Sequence, residues 1–197
     1  MKKFLAIILA LTCAFALFAC GDGETTNNYK TDAADFITAV GATDVTNLDV
    51  SVAVETALGT LTSTYNTVYN ADGTSTMTYR IETIPALDST ALEEIEVQEG
   101  TVTCDANGNY SNDEISGTIG ATGVSLNLNS DKISNYTVEG DVLTITVAAA
   151  DTASVVGTAL GSDAIVAVTK AEGKIVSITL NYTDAAGCAV AIVCAYK

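Results

Sequence analysis

The chain has no histidine and no tryptophan, and it contains a single proline among 197 residues. Without histidine, neither the Ser-His-Asp and Cys-His nucleophilic systems nor the usual zinc ligand sets can be assembled. No Ser-x-x-Lys sequence occurs, so the signature of penicillin-binding-type acylation is also missing. Paired carboxylates for glycoside hydrolysis are the remaining alternative, because their separation of about 5–9 Å is not visible in a sequence. We therefore expect no enzymatic activity, no catalytic residues and no cofactor.

Basic residues are also scarce, since eight Lys and Arg face 24 Asp and Glu and give a net charge of −16. Lys2 and Lys3 stand at the extreme N-terminus, and without them six basic residues face the same 24 acids, for a charge of −18. Such a domain is repelled by phosphate backbones and by anionic lipid headgroups. The composition therefore predicts no nucleic-acid partner.

The first 19 residues have the pattern of a secretory signal peptide. Met1-Lys2-Lys3 is positively charged, and the sixteen residues from Phe4 to Ala19 are apolar except for Thr12 and Cys13. A membrane-spanning helix needs about 20 residues, whereas a charged start, a shorter apolar run and a small residue before the cut describe a signal peptide. We predict that residues 1–19 are removed after export.

Leu17-Phe18-Ala19-Cys20 resembles the bacterial lipobox, in which the cysteine after a small residue receives diacylglycerol. The resemblance implies lipid attachment at Cys20 and anchoring to the outer face of the bacterial cell membrane, or to an outer membrane where the organism has one. Several acyl chains on one residue make such an anchor stable. An ordinary secretory signal with an incidental cysteine is the alternative. We assign residues 20–29 to a flexible tether and residues 30–197 to a single antiparallel β-rich domain.

Three further cysteines follow Cys20, namely Cys104, Cys188 and Cys194. An odd number leaves at least one free thiol or an intermolecular pair. Cys188 and Cys194 are predicted on one strand about 20 Å apart, at about 3.3 Å per residue, so they cannot bond to each other. Cys194 is expected to face the core and to resist alkylation in the native state.

Four of the predicted turns share the sequence x-Ala-x-Gly, ending at Gly73, Gly108, Gly173 and Gly187. Glycine in the last position permits the left-handed backbone of a type I turn with a bulge, which closes a three-residue hairpin loop. Glu139-Gly140-Asp141 adds a fifth hairpin signal. Five hairpins predict an antiparallel meander.

The two C-terminal turns predict a register. A three-residue loop at 171–173 sets Val168 opposite Val176 and Val166 opposite Ile178, and a loop at 185–187 sets Ile178 opposite Cys194 and Leu180 opposite Ile192. Both place one apolar set on a single face: Val166, Val168, Val176, Ile178, Leu180, Tyr182, Val190, Ile192, Cys194 and Tyr196. The opposite face carries small residues such as Ala191 and Ala195, which would allow another layer to pack closely.

The N-terminal half gives a second apolar face and one ambiguity. The turn at 71–73 pairs Tyr65 with Tyr79 and Thr67 with Met77, and Leu61, Tyr69 and Ile81 share that face. Residues 48–54 alternate like a strand, although a helix through Val50, Val54, Ala57 and Leu61 is the alternative.

Two helices are expected. Ala33, Phe36, Ile37 and Val40 have helical spacing, with Thr31 as the N-cap and Gly41 just past the end. Ala153, Val156 and Leu160 give a shorter helix between Asp151 and Gly161. The predicted fold class is α+β and mainly β: a curved antiparallel sheet, half-barrel or meander, with two or three short helices packed on it.

Residues 105–113 place oxygen-bearing side chains at alternate positions, as at the start of an EF-hand loop. Tyr110 and Ser116 stand where that loop needs glycine and glutamate, and the hairpin turn explains Asp105 to Asn109 without a metal. We therefore predict no metal site. Glycines 117, 120 and 123 lack the order and the following lysine of a phosphate loop and are interpreted as irregular chain.

The stretch from Asp163 to Tyr196, with GKIVSITLNY followed by AVAIVCAY, is similar in pattern to the LolA/LppX-like lipoprotein carriers. In that group, helices partly close a curved half-barrel whose concave face holds acyl chains. The resemblance implies an exported envelope protein that binds a lipid or another apolar ligand. The alternative is a surface-displayed adhesion or sensor module with a filled core. A cavity of about 300 Å³ or more with an open mouth would favour the carrier.

Overall fold

The computed structural model describes residues 28–86, 96–111, 116–118 and 124–197. The helices are α1 Tyr29–Asp32, α2 Ala34–Ala42 and α3 Thr152–Val155, the last preceded by a 3₁₀ turn, Ala149–Asp151. The strands are β1 Asn47–Thr56, β2 Gly59–Tyr69, β3 Ser75–Pro85, β4 Val97–Cys104, β5 Asn109–Ser111, β6 Ser116–Thr118, β7 Asn135–Glu139, β8 Val142–Val147, β9 Ala164–Ala171, β10 Lys174–Thr183 and β11 Ala189–Tyr196.

Nine strands form one curved, unclosed antiparallel sheet in the order β4-β3-β2-β1-β11-β10-β9-β8-β7, and β5 and β6 pair separately. The expected fold class, a mainly β antiparallel sheet with few short helices, is confirmed. Residues 48–54 belong to β1, so the strand interpretation was right and the helix alternative was wrong. In the described ranges, no helix is long and apolar enough to cross a membrane.

Three of the four x-Ala-x-Gly turns have the expected form. In each, the glycine N–H donates to the carbonyl oxygen three residues earlier, as from Gly73 to Asn70 and from Gly187 to Asp184. Gly73, Gly108 and Gly187 all have positive φ angles. These turns set Tyr65 opposite Tyr79 and Ile178 opposite Cys194, as predicted.

The fourth turn corrects the predicted register of β9 and β10. Lys174 pairs with Ala171, so the loop has two residues, Glu172 and Gly173, and both have positive φ angles. A bulge at Val176 then shifts the pairing, and Val168 lies opposite Ile178 instead of Val176. A shift of two residues keeps the same face inward, but Ile175 is buried where Val176 was expected to be.

The pairing of β1 with β11 joins the N-terminal hairpin to the C-terminal meander. Consequently one row of paired residues crosses all nine strands on one face: Gly100, Tyr79, Tyr65, Val50, Cys194, Ile178, Val168, Leu143 and Val138. We call this the inner face. The opposite, outer face carries most of the Thr, Ser, Ala and charged side chains of the same strands, whereas Ser63, Thr67 and Lys170 lie on the inner face.

The helices differ from their predicted limits. The N-terminal helix is split at Ala33 and ends at Ala42, so Thr31 lies inside α1 instead of capping it, and Gly41 lies inside α2. The helix expected to reach Gly161 ends at Val155, and Thr152 and Val155 are buried whereas Ala153 is exposed. Tyr29, the last residue of the range assigned to the tether, begins α1 and is buried.

Polar and aromatic contacts hold the N-terminal helices to the sheet. The Tyr29 and Tyr136 rings meet edge to face at 5.1 Å, and the Tyr136 hydroxyl donates to Asp32 at 2.6 Å. That hydrogen bond raises the pKa of Tyr136 to about 12. Lys170 lies 5.3 Å from the Phe36 ring centre and 3.2 Å from Asp141. These contacts place α2 over β9 and β10.

Candidate functional site

The inner face of β1–β4, β8 and β11 carries no charged side chain, whereas Lys170 of β9 lies on the inner face against Phe36. Every charged residue of β1, β3 and β4 lies on the outer face, and β2, β8 and β11 contain none. The two-residue period of a strand produces this separation directly from sequence. A surface of this kind offers dispersion contacts and the hydrophobic effect, without an electrostatic anchor for a ligand.

The half of the inner face formed by β7–β11 is filled. Leu143, Ile145, Val166 and Val168 have no accessible surface, and Phe36 of α2 packs into the same cluster. Residues 124–133 contribute Leu128 and Ile133 to that cluster. This half of the inner face is therefore a packed core.

The half formed by β1–β4 is different, because none of the described helices makes an extensive contact with it. A small second cluster lies on the inner face along the β3–β4 edge of the sheet, formed by Met77, Tyr79, Val102 and Cys104. Between the two clusters lie aliphatic side chains of which Leu61 is exposed and the others are partly buried, with Ile192 packed against the first cluster and Ile81 against the second. We call them the open patch: Val52, Val54, Leu61, Ile81 and Ile192.

The open patch is continuous across four neighbouring strands. Val52 pairs with Ile192 on one side and with Ser63 on the other, and Ser63 pairs with Ile81. Leu61 lies opposite Val54 and is 39 % exposed. Ser63 is the patch's central polar group, and it presents a small hydroxyl that an apolar chain can cross.

Sequence analysis placed the flanking residues of this patch on apolar faces, but it did not predict that β1 lies between them. Ile81 and Ile192 were placed on apolar faces, and both lie there. Those two faces were derived from separate turns, however, and no turn joins β1 to β11. The available signal was the alternation Leu48, Val50, Val52, Val54, which predicts one apolar face without saying which strand lies beside it.

A pocket of about 260 Å³ lies elsewhere, at the end of the sheet where α2 stops. Thr43, Ile175, Tyr196 and Lys197 are among its lining residues, and Asp44 and Glu172 border it. The Ile175 N–H donates to the Thr43 hydroxyl at 2.9 Å. The pocket is smaller than the cavity expected of a carrier, and it does not adjoin the open patch.

The three described cysteines are all free. Cys104 and Cys194 are buried, and burial raises the pKa of the Cys194 thiol. Cys188 is partly exposed at the 184–187 turn, where its N–H donates to the Asp184 carboxylate at 2.8 Å. Cys194 therefore faces the core, as predicted.

The oxygen-rich hairpin at 105–109 is a turn with its own hydrogen bonds. The Asp105 carboxylate accepts the N–H groups of Asn107 and Asn109 at 2.8 and 2.9 Å, and it also accepts the Asn109 side-chain amide. These bonds lower the pKa of Asp105. In the ranges that the structure describes, no group of three or more Cys, Asp and Glu side chains is placed to hold a metal ion.

Cys20 and the signal segment lie outside the described residues, as do residues 87–95 and 119–123. Lipid attachment at Cys20 and removal of residues 1–19 therefore stay predictions.

No protein-family model matches the chain, and no curated protein matches it. Among solved structures, it is similar to LprF from Mycobacterium bovis, at 9 % identity and a TM-score of 0.40, with 88 % of this chain and 94 % of that chain covered. A PCNA2–PCNA3 complex from Sulfolobus tokodaii gives 12 % identity and a TM-score of 0.18, covering 85 % of this chain and 97 % of that one. Neither likeness is close enough to carry an argument about this protein.

Proposed function

We propose that this chain is an exported envelope protein, anchored through lipid on Cys20, whose open patch binds an apolar ligand such as the acyl chain of a lipid. One observation carries the proposal. Val52, Val54, Leu61, Ile81 and Ile192 form an aliphatic surface around Ser63, on strands whose inner face carries no charge, and the described helices leave it uncovered. Apolar area transferred from water stabilises a complex by about 25 cal/mol per Å². An acyl chain can therefore bind there without an anchoring charge.

The same proposal assigns the chain no catalytic activity and no nucleic-acid partner. The missing histidine removes the commonest acid–base group, and the charge of −16 opposes binding to phosphate backbones. Binding then rests on burial of apolar surface alone. Because the domain is strongly acidic, this favours neutral and zwitterionic lipids over anionic ones.

A substitution on β2 tests the ligand. Leu61→Asp places a carboxylate in the open patch, so the domain lacking residues 1–20 should no longer carry lipid in native mass spectrometry after incubation with membrane lipids. Val68→Asp is the matched control, because Val68 is 42 % exposed on the outer face of the same strand. It should keep the lipid adducts of the parent protein. Equal adducts in both variants, or none in the parent, would contradict the patch as a binding site.

Cys20→Ala tests the anchor separately. The variant should lose labelling by a fatty-acid probe, whereas Cys13→Ala should keep it, because Thr12 precedes Cys13 where a lipobox has a small residue. A parent protein that is never labelled, or a Cys20→Ala variant that stays labelled, would remove the anchor without affecting the patch experiment.

The second candidate is an adhesion or sensor module that recognises another protein. The filled half of the inner face favours it, since Leu143, Ile145, Val166 and Val168 are buried as in an ordinary packed core. A parent domain that stays free of lipid under all lipid conditions would leave this candidate as the better supported of the two.

A further inference from the structure

The turn between β1 and β2 presents a leucine to solvent without a structural reason. Thr56 pairs with Gly59, so the loop has only two residues, Ala57 and Leu58, and Leu58 is 55 % exposed. Two-residue hairpin loops favour Asn, Asp and Gly because of their backbone geometry. Leucine contributes nothing to that geometry.

This turn is held rigidly. The Thr56 hydroxyl donates to the Gly59 carbonyl at 2.9 Å, and the Ala86 N–H donates to the Leu58 carbonyl at 3.0 Å. Gly59 has a φ of 145°, and a Cβ there would lie 2.2 Å from the Ile84 carbonyl oxygen. The backbone that carries the exposed leucine is therefore hydrogen-bonded to the ends of two strands.

Exposed aliphatic side chains lie beside Leu58 on both faces of the sheet. Ile84 is 44 % exposed on the outer face of β3, and Leu61 of the open patch lies on the inner face, three residues along β2. We call Leu58 and Ile84 the apolar tip. It lies at the same end of the sheet as the 184–187 turn, because Glu55 pairs with Ala189. The open patch thus leads from the tip along the inner face.

The chain enters the domain at this same end. Lys30 pairs with Asp131, and Asp131 precedes β7, which begins opposite the end of β8. From there the helices run toward the opposite end, where Thr43 meets Ile175 beside the 172–173 turn. The eight residues between Cys20 and Tyr29 allow these two residues to lie at most about 30 Å apart. A domain of this size is roughly 40 Å across, so a chain anchored at Cys20 keeps its entry end nearest the bilayer.

We infer that the apolar tip docks on the membrane surface, with Leu58 in the headgroup–acyl boundary and the open patch leading away from it along the sheet. This inference rests on the proposed anchor at Cys20. The occupant is a zwitterionic or neutral bilayer, since Glu55 and Glu82 flank the tip on the outer face and oppose anionic headgroups.

The absence of tryptophan supplies a clean probe. Leu58→Trp gives the lipidated full-length protein a single tryptophan, and Val68→Trp gives one at the opposite end of β2 with similar starting exposure. Both variants are reconstituted in phosphatidylcholine vesicles with and without brominated acyl chains. A side chain about 5–10 Å deep at the boundary should be quenched about twofold or more by the brominated lipid. The Val68→Trp variant should be unquenched, and anionic lipid should reduce the quenching of the Leu58→Trp variant.

Each outcome decides one point. Vesicles that float with the protein while both variants are equally unquenched would overturn the docking and leave the anchor intact. Protein that does not float would refute the anchor, and the docking with it. Blue-shifted emission of the Leu58→Trp variant without vesicles, rising with protein concentration, would show a second copy of the chain on the tip instead. If Leu58→Trp fails to fold, Ile84→Trp tests the tip from the outer face of the neighbouring strand β3.

Discussion

Gly41 and Gly100 show how the same residue type meets opposite constraints. Gly100 sits in β4 beneath the Tyr79 ring, and a Cβ there would lie 2.7 Å from the Tyr79 hydroxyl oxygen and 2.9 Å from its Cζ. Gly41 lies in α2, and a Cβ there would have no neighbour within 4 Å. Tyr79 is buried, so it cannot move aside without disturbing the second cluster.

We therefore predict opposite signs for two alanine substitutions. Gly100→Ala should lower the free energy of unfolding by about 1–3 kcal/mol because of overpacking. Gly41→Ala should raise it by up to about 1 kcal/mol, because glycine costs entropy inside a helix. Urea denaturation of both variants measures this, and a stabilised Gly100→Ala variant would show that Tyr79 does not pack over β4.

The three described cysteine thiols differ in their accessibility to solvent. In the domain lacking residues 1–20, Cys188 should react with a bulky alkylating reagent in the native state. Cys104 and Cys194 should react only on unfolding, since both are buried and burial raises the pKa of the Cys194 thiol. Mass spectrometry of labelled peptides gives the sites. A Cys188→Ser variant should take up no label before denaturation, and rapid labelling of Cys194 would contradict its inward orientation.

At the scale of elements, turns decided how much of the sheet could be predicted. Of the three turns with one conformation, two fixed the pairing of β2 with β3 and of β10 with β11, and the third lies between β4 and β5. The turn at Glu172-Gly173 has the same x-Ala-x-Gly sequence but a different backbone conformation. Glu172 adopts a φ of 51°, which is not expected for a glutamate. The pairing of β1 with β11 has no turn at all, so the open patch between them could not be assembled from local signals.

Glu172 offers a test of that unexpected turn. Glu172→Asn creates Asn-Gly, the pair that two-residue loops with positive φ prefer. A left-handed backbone costs most residues roughly 1–2 kcal/mol, and asparagine less. The variant should gain about 0.5–1 kcal/mol in free energy of unfolding. Ala186→Asn, at the matching position of the 184–187 turn where φ is not positive, should gain nothing. Equal effects would contradict the two-residue loop.

For the whole molecule, charge and apolar surface are separated between the two faces of one sheet. The acidic residues of β1–β4 lie on the outer face, and the inner face of these strands is neutral. The open patch therefore attracts apolar groups at contact distance, while the net charge of −16 acts on a ligand headgroup from farther away. Binding strength should consequently depend on the apolar area that the ligand buries, and selectivity between lipids should depend on headgroup charge and salt concentration.

This separation predicts a salt-dependent preference among lipids. In dilute buffer, a zwitterionic lipid should bind at least about fivefold more tightly than an anionic lipid with the same acyl chains, because like charges repel. The screening length falls from about 10 Å at 0.1 M salt to about 3 Å at 1 M, so the two affinities should converge as salt rises. Displacement of a neutral fluorescent lipid from the domain lacking residues 1–20, at several salt concentrations, measures the affinities for both lipids. Glu55→Gln, on the outer face of β1 directly behind the patch, should narrow the difference more than Glu139→Gln on the far edge strand β7. A preference that salt does not change would instead place the selectivity in direct headgroup contacts.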